Sequence, residues 1–184
     1  NPIYKYKNKE LEFYFLSRHG QGHTITPSEI NYRANIFALK SLGVSHVLSA
    51  SAVGSLCETM KPGHIVLADQ FIDWTKGRRK KTFYEAGMVG HISTADPCDS
   101  FLREKLKELC LDLDIPCHAS ATYLCVEGPQ FSSRAESKLF RQFGAEIVGM
   151  TNLPEAHLAL EAGLSYVSLC LVTDYDAWKE KTAH

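Results

Sequence analysis

Arg18 and His19 open the stretch RHGQGH, residues 18–23, directly behind the apolar run Leu11 to Leu16. Arginine is suited to forked contact with an oxyanion, and Gly20 and Gly22 let a backbone approach a ligand closely. Two segments further along add hydroxyl donors: Ser51 and Ser55 in SAVGSL (51–56), and Thr151 in GMTNLPE (149–155). A helix N-terminus expected near Thr151 contributes partial positive charge. Together these residues point to phosphate or a similar anion. The competing reading is a metal held by His19 and His23. Their i,i+4 spacing suits a metal only on a helix, and two glycines and Pro27 oppose a helix there, so metal is disfavoured. Considered alone, His23 reads as a capping or packing residue.

Other residues carry weaker signals, each with a bland counterpart. Asp174 and Asp176 follow the apolar run SYVSLCLV. A partly buried carboxylate at such a place has its charged form desolvated, which suits a proton donor near neutral pH; the alternative is a cap on the following turn. Phe131, between Gln130 and Ser132, offers an apolar face to a planar base, or is a core residue. Met150 can press on a sugar, or serve as filler. Trp178 reads as packing.

The elements that must position these residues are marked by explicit turn and cap signals. After a strand at 11–17, Thr26-Pro27-Ser28-Glu29 reads as an N-cap, a first-turn proline and a capping-box glutamate. Ile30, Ala34, Phe37 and Ala38 then fall on one helical face, and Gly43 closes the helix. Strands are expected at 44–50, 64–69, 121–126, 146–150 and 166–172. Between them, a helix at 100–113 carries the stripe Leu102, Leu106, Leu109 and Leu113. Ser133 with Glu136 caps a helix that ends before Gly144, and Asn152 with Glu155 caps another that stops at Gly163. Such alternation predicts a mostly parallel sheet covered by helices, with ligands beyond the carboxyl ends of its strands.

Composition narrows the classes. Apolar residues are 45% and charged residues 22% of the 184-residue chain, and the net charge is −1, so electrostatics give no case for nucleic acid or an anionic membrane as partner. The basic run KGRRKK (76–81) reads as a solvated loop. No apolar run approaches the ~20 residues of a membrane span, and the first ten residues have no apolar core of a signal peptide. The six cysteines contain no CxxC pair, which reads as reduced thiols in a cytoplasmic protein and not as a zinc site.

Six colinear segments carry a resemblance: RHGQGHTITPSEINYRANIFALKSLG, SAVGSL, PGHIVLADQFID, EGPQFSSRAES, GMTNLPEAHLALEAGLSY and VTDYDAW. From about residue 11 to about residue 180 the chain resembles the purine nucleoside phosphorylases, and within them the 5′-methylthioadenosine branch. The resemblance implies a single α/β domain with a mixed, partly barrel-like sheet flanked by helices, usually assembled as a homotrimer. It implies reversible phosphorolysis of a purine nucleoside by inorganic phosphate, with no metal or organic cofactor.

By the same resemblance, Arg18, His19, Ser51, Ala52 and Thr151 lie at the phosphate. Ala52, Val53, Gly54, Phe131 and Ser132 line the base pocket, and Gly149 and Met150 adjoin the ribose. Asp174 faces the purine nitrogen that gains a proton, Asp176 lies close to the base, and His91 reaches the 5′ substituent of a neighbouring subunit. A carboxylate at 174 favours a 6-aminopurine, with methylthioinosine or general purine nucleoside phosphorolysis as alternatives. The resemblance also implies an N-terminal strand with a phosphate-binding turn and C-terminal helices that this stretch of 184 residues does not contain. It is therefore expected to be part of a longer protein, the rival being a truncated, non-catalytic nucleoside-binding module.

Overall fold

The computed structural model describes residues 2–180. In chain order the elements are β1 (Ile3–Lys7), β2 (Glu12–Leu16), α1 (Tyr32–Ser41), β3 (His46–Ser55), β4 (Ile65–Ala68) and β5 (Gln70–Trp74). They continue with α2 (Ser100–Asp112), β6 (Cys117–His118), β7 (Thr122–Val126), α3 (Arg134–Gln142), β8 (Ile147–Gly149), α4 (Asn152–Glu161) and β9 (Ser165–Tyr175). β1 and β2 form a separate antiparallel hairpin, and the other seven strands form one sheet in the order β5-β7-β8-β3-β9-β4-β6. β3 and β9 run parallel at its centre, while β8 is antiparallel to β3 and β4 antiparallel to β9. The mixed sheet and flanking helices are the expected architecture, and the sheet is mostly parallel as the alternation implies, with four parallel ladders and two antiparallel ones.

Both faces of the sheet are covered at β7, whereas Leu48, Ala50 and Ala52 leave one face of β3 exposed. Alternate residues of β7 go to opposite sides, as a pleat requires. Tyr123 and Cys125 join the cluster containing Ile36 of α1 and Ala156, Leu158 and Ala159 of α4. Leu124 and Val126 join Phe140 of α3. Strands buried on both faces explain the continuous apolar runs of β4 and β7.

Local capping signals hold where the partner is local. Ser133 and Glu136 make a reciprocal capping box on α3. Two helix starts differ from expectation. Glu29 does bond Thr26, but that closes a turn, and α1 begins later, with Asn31 accepting from the Ala34 amide. α4 has no side-chain cap, and an extended Leu153 interrupts its first turn; Glu155 is turned elsewhere. Nor do the apolar stripes map onto buried faces throughout, since Phe37, Leu109 and Leu113 are exposed.

The basic run is the largest departure. Arg78 and Lys80 are exposed, but Arg79 between them is buried, at 6% exposure. Its guanidinium donates to the carbonyls of Met150 (2.6 Å), Leu153 (2.6 Å) and Glu127 (2.7 Å). The Glu127 carboxylate lies 3.3 Å from Nε. One side chain thus ties the exit of β7 to the junction of β8 with α4.

Candidate active site

The polar residues gather along β3, not at a common carboxyl edge. Because β8 runs back beside β3, pairing Ile147 with Ser55 and Val148 with Gly54, the segment after it returns alongside the middle of β3. Thr151 Oγ1 comes to lie 3.5 Å from Ser51 Oγ. The Thr151 amide donates to the Tyr123 hydroxyl at 3.3 Å. Gly149 is required here, because a Cβ would overlap that hydroxyl. Burial pushes the Tyr123 pKa well up, so the phenol keeps its proton.

Arg18 leaves β2 and crosses to the same region. Its Nε donates to Glu155 Oε2 at 2.6 Å, and Nη2 donates to Ser49 Oγ at 2.6 Å and to the Ala50 carbonyl at 3.0 Å. Side-chain exposures are 14% for Arg18 and 8% for Glu155, so water screens the pair little. Burial disfavours the cation, but the surrounding groups, the adjoining Glu155 carboxylate first among them, together hold the guanidinium above its ordinary pKa.

His19 is a different kind of group. Its Nδ1 is 2.8 Å from the Ile25 carbonyl, which makes Nδ1 the protonated nitrogen and Nε2 the acceptor of the neutral ring. Partial burial lowers its pKa, and the neighbouring His23 and Arg18 add to that lowering. His23 stacks on it with ring centroids 4.1 Å apart, a packing role. A cavity of about 820 Å³ between β2, α1 and β3 ends on Arg18, His19, Ser49, Ala50 and Glu155.

The other end of β3 carries the carboxylates. Gly54 pairs with Asp174, Val53 pairs with Val172, and the register shifts between them, leaving Thr173 extra on β9. A Cβ at Gly54 would sit at ordinary contact distances, 3.4 Å from the Asp176 Cβ and 3.5 Å from Asp174 Oδ1, so both aspartates lie against this strand position. The two aspartates differ in burial. Tyr166, Ser168, Cys170 and Val172 point inward, and continued alternation would bury Asp174; the bulge turns it outward. Asp174 is exposed and accepts from Thr173 Oγ1 at 2.9 Å, whereas Asp176 is buried.

Phe131 is 85% exposed, which removes the core reading, and with Ser132 it lines a second cavity of about 230 Å³ together with Trp74 and Gln130. Met150 packs close to Gly128, and its carbonyl is held by Arg79. Ala52 is exposed and Val53 buried on β3. His91 is exposed on the connection between β5 and α2, and none of these contacts includes it. Ser49, Glu155, Tyr123, Tyr166 and Arg79 were absent from the sequence reading as site residues. Glu155 and Arg79 left traces there, one read as a cap and the other as part of a solvated loop.

The phosphorylase superfamily profile matches residues 4–184. An S-methyl-5′-thioadenosine phosphorylase of Rhodospirillum rubrum is 52% identical over 174 residues, covering 95% of this chain and 59% of that protein. One from Thermofilum pendens is 55% identical over 172 residues, covering 92% and 65%. The chain thus spans about three-fifths of the length of these relatives. A crystal structure of a methylthioadenosine phosphorylase from an antarctic soil metagenomic library superposes with a TM-score of 0.93 at 51% identity, covering 98% of this chain and 65% of that one. The Schistosoma mansoni methylthioadenosine phosphorylase in complex with adenine gives a TM-score of 0.93 at 38% identity, covering 99% and 70%.

Proposed function

Since the chain belongs to the phosphorylase superfamily, we propose that its protein phosphorolyses 5′-methylthioadenosine to adenine and 5-methylthioribose 1-phosphate. The observation that carries this reading is the pair of poles on β3. Arg18, seated at Ser49 and Ala50, with the Ser51 and Thr151 hydroxyls next along the strand, forms an anion pole. Gly54 with Asp174 and Asp176 forms a carboxylate pole. Ser51 and Gly54 are three positions apart, about 10 Å of strand, which leaves room for a sugar between the two poles.

Phosphate held by Arg18, Ser51 and Thr151, beside Ala52, attacks the anomeric carbon of the sugar. A neutral His19 adds an acceptor for a phosphate hydroxyl. As the new C–O bond forms, the C–N bond to the base breaks and its electron pair moves onto the purine. Phosphate is nucleophile and counter-charge to the developing sugar cation, so the reaction needs neither a protein nucleophile nor a metal or organic cofactor. Asp174 delivers a proton to the purine ring and accepts from the 6-amino group, with Asp176 behind it. Val53, Gly54, Phe131 and Ser132 flank the base, and Gly149 and Met150 adjoin the ribose.

Exposed Met88 and Val89 beside His91 support a subunit contact at that loop, in keeping with a trimer in which His91 reaches a neighbour's 5′ substituent. The chain's six cysteines, none in a CxxC pair, support a reducing, cytoplasmic setting. Among the described residues no helix is long and apolar enough to cross a membrane.

The test is adenine release from 5′-methylthioadenosine by the full-length protein, with and without phosphate, beside an inosine control. Phosphate-dependent adenine release, abolished in Asp174→Asn, is expected. Release from inosine alone overturns the base assignment, and release from neither substrate by folded protein overturns the activity.

A further inference from the structure

We propose that Glu155 is a positioning residue for phosphate, acting only through Arg18; this rests on the reading that Arg18 binds phosphate. Four elements meet at the Glu155 carboxylate. Arg18, just after β2, donates from Nε to Oε2 at 2.6 Å. Ser49 of β3 and Tyr166 of β9 donate to Oε1 at 2.9 and 3.0 Å. Ser49 also accepts from Arg18 Nη2 at 2.6 Å, so Arg18, Glu155 and Ser49 close a ring of hydrogen bonds.

That ring does what a single ion pair would not. Contacts to both Nε and Nη2 fix the guanidinium plane as well as its place, removing rotation about the bond from Cδ to Nε. A planar fork is useful to an oxyanion only in the right plane. Every neighbour in the ring donates to Glu155, and burial pushes the Tyr166 pKa well up, so its hydroxyl remains a donor. A carboxylate accepts from all of them, whereas a glutamine would turn an NH₂ group against one. Glu155 also departs from what its position on α4 would ordinarily give. In the first turn an acidic side chain commonly folds back to cap its own backbone, but this one crosses to the strands. α4 in turn is held at its start by Arg79, through the Met150 and Leu153 carbonyls.

Positioning and charge dilution predict opposite signs. If Glu155 merely offset the charge of Arg18, removing its negative charge would tighten phosphate. If it holds the guanidinium plane, Glu155→Gln weakens phosphate, because small misplacements of an orienting group are costly. In the full-length protein, Glu155→Gln is expected to raise the phosphate KM by about tenfold or more and to move the 5′-methylthioadenosine KM by less than about twofold. The thermal upshift on adding inorganic phosphate should shrink in parallel, a readout independent of turnover. Glu155→Asp keeps the charge but falls one methylene short of Arg18, so an intermediate loss is expected; it also serves if the glutamine variant does not fold. In an Arg18→Lys background the Glu155→Gln effect should largely vanish, since interacting residues are not additive. A lower phosphate KM, equal changes in both KM values, or full additivity with Arg18→Lys overturns the proposal. If Arg18→Lys itself leaves the phosphate KM unchanged, the phosphate reading of Arg18 fails first, and a test on Glu155 alone cannot imitate that result.

Discussion

Replacing Arg79 with methionine tests how much of the site rests on one side chain. Methionine fills the volume of the stem but supplies no donor, so the Met150, Leu153 and Glu127 carbonyls lose their short contacts. Each buried carbonyl left without a partner costs about 1–3 kcal/mol. Relief from burying the cation offsets part of that total, and removing one member of a buried charged network typically costs about 3–5 kcal/mol. A net loss of about 4 kcal/mol lowers the Tm of a chain this size by about 8–16 °C. Arg79→Lys, which keeps the charge but not the fork, should fall between. The control is next door: Arg78 is exposed, and Arg78→Met should change stability by no more than about 0.5 kcal/mol. Scanning calorimetry of the three variants decides it. An Arg79→Met transition within about 2 °C of Arg78→Met would refute the claim that this buried arginine holds the β7 exit and the β8–α4 junction together.

Phe131→Ala should raise the nucleoside KM while leaving the phosphate KM and the Tm nearly unchanged, because the ring is exposed and its removal opens no core cavity; initial-rate kinetics and a melting curve check both halves. Gly54→Val should impair turnover far more than Gly54→Ala, since a lone Cβ meets only ordinary or slightly tight contacts at 3.3–3.5 Å, while a branched side chain must displace Asp174 or Asp176; kcat/KM for the pair is the measure. Stability should fall on mild acidification. Burial lowers the pKa of His19, His118 and His157 in the fold, so below about pH 6.5 the unfolded chain binds protons that the native state refuses. The loss grows until the pH passes the folded pKa values, and urea midpoints that do not fall between about pH 7.5 and 5.5 would contradict it.

What could be read in the sequence is what is decided locally. The Ser133–Glu136 box announces α3 because both halves of the interaction lie within one turn. Asn152 and Glu155 show the same spacing and mislead, because spacing does not say whether a carboxylate folds onto its own backbone or reaches an arginine 137 residues away in sequence. Arg79 is hidden for a similar reason. Four consecutive basic residues describe a solvated loop on average, and the exception is set by carbonyls that only the folded chain assembles. The stripe on α2 identifies a face but not what covers it, and Leu109 and Leu113 are exposed. Short strands such as β6 (Cys117–His118) exist through pairing and leave no period to read. At the site, the residues proposed for the anion pole, Arg18 with Ser51 and Thr151, were legible through their types. Its scaffold of Ser49, Glu155 and Tyr166 was not, since each is an ordinary residue until its neighbours are known.

The irregular register opposite Gly54 makes chain length in β9 a variable separate from side-chain identity. Deleting Thr173 would restore a regular register against β3 and keep Asp174 on the outer face opposite Gly54, since it would then directly follow the inward Val172, with every other residue type unchanged. A one-residue deletion here therefore removes the irregularity without moving the Asp174 carboxylate to the other face. Substitution libraries across 172–176 vary what each position offers within one arrangement. Libraries that also allow a single-codon deletion would sample a second one, in which Asp174 faces outward from an unbroken ladder, a region of sequence space that no combination of point changes can enter.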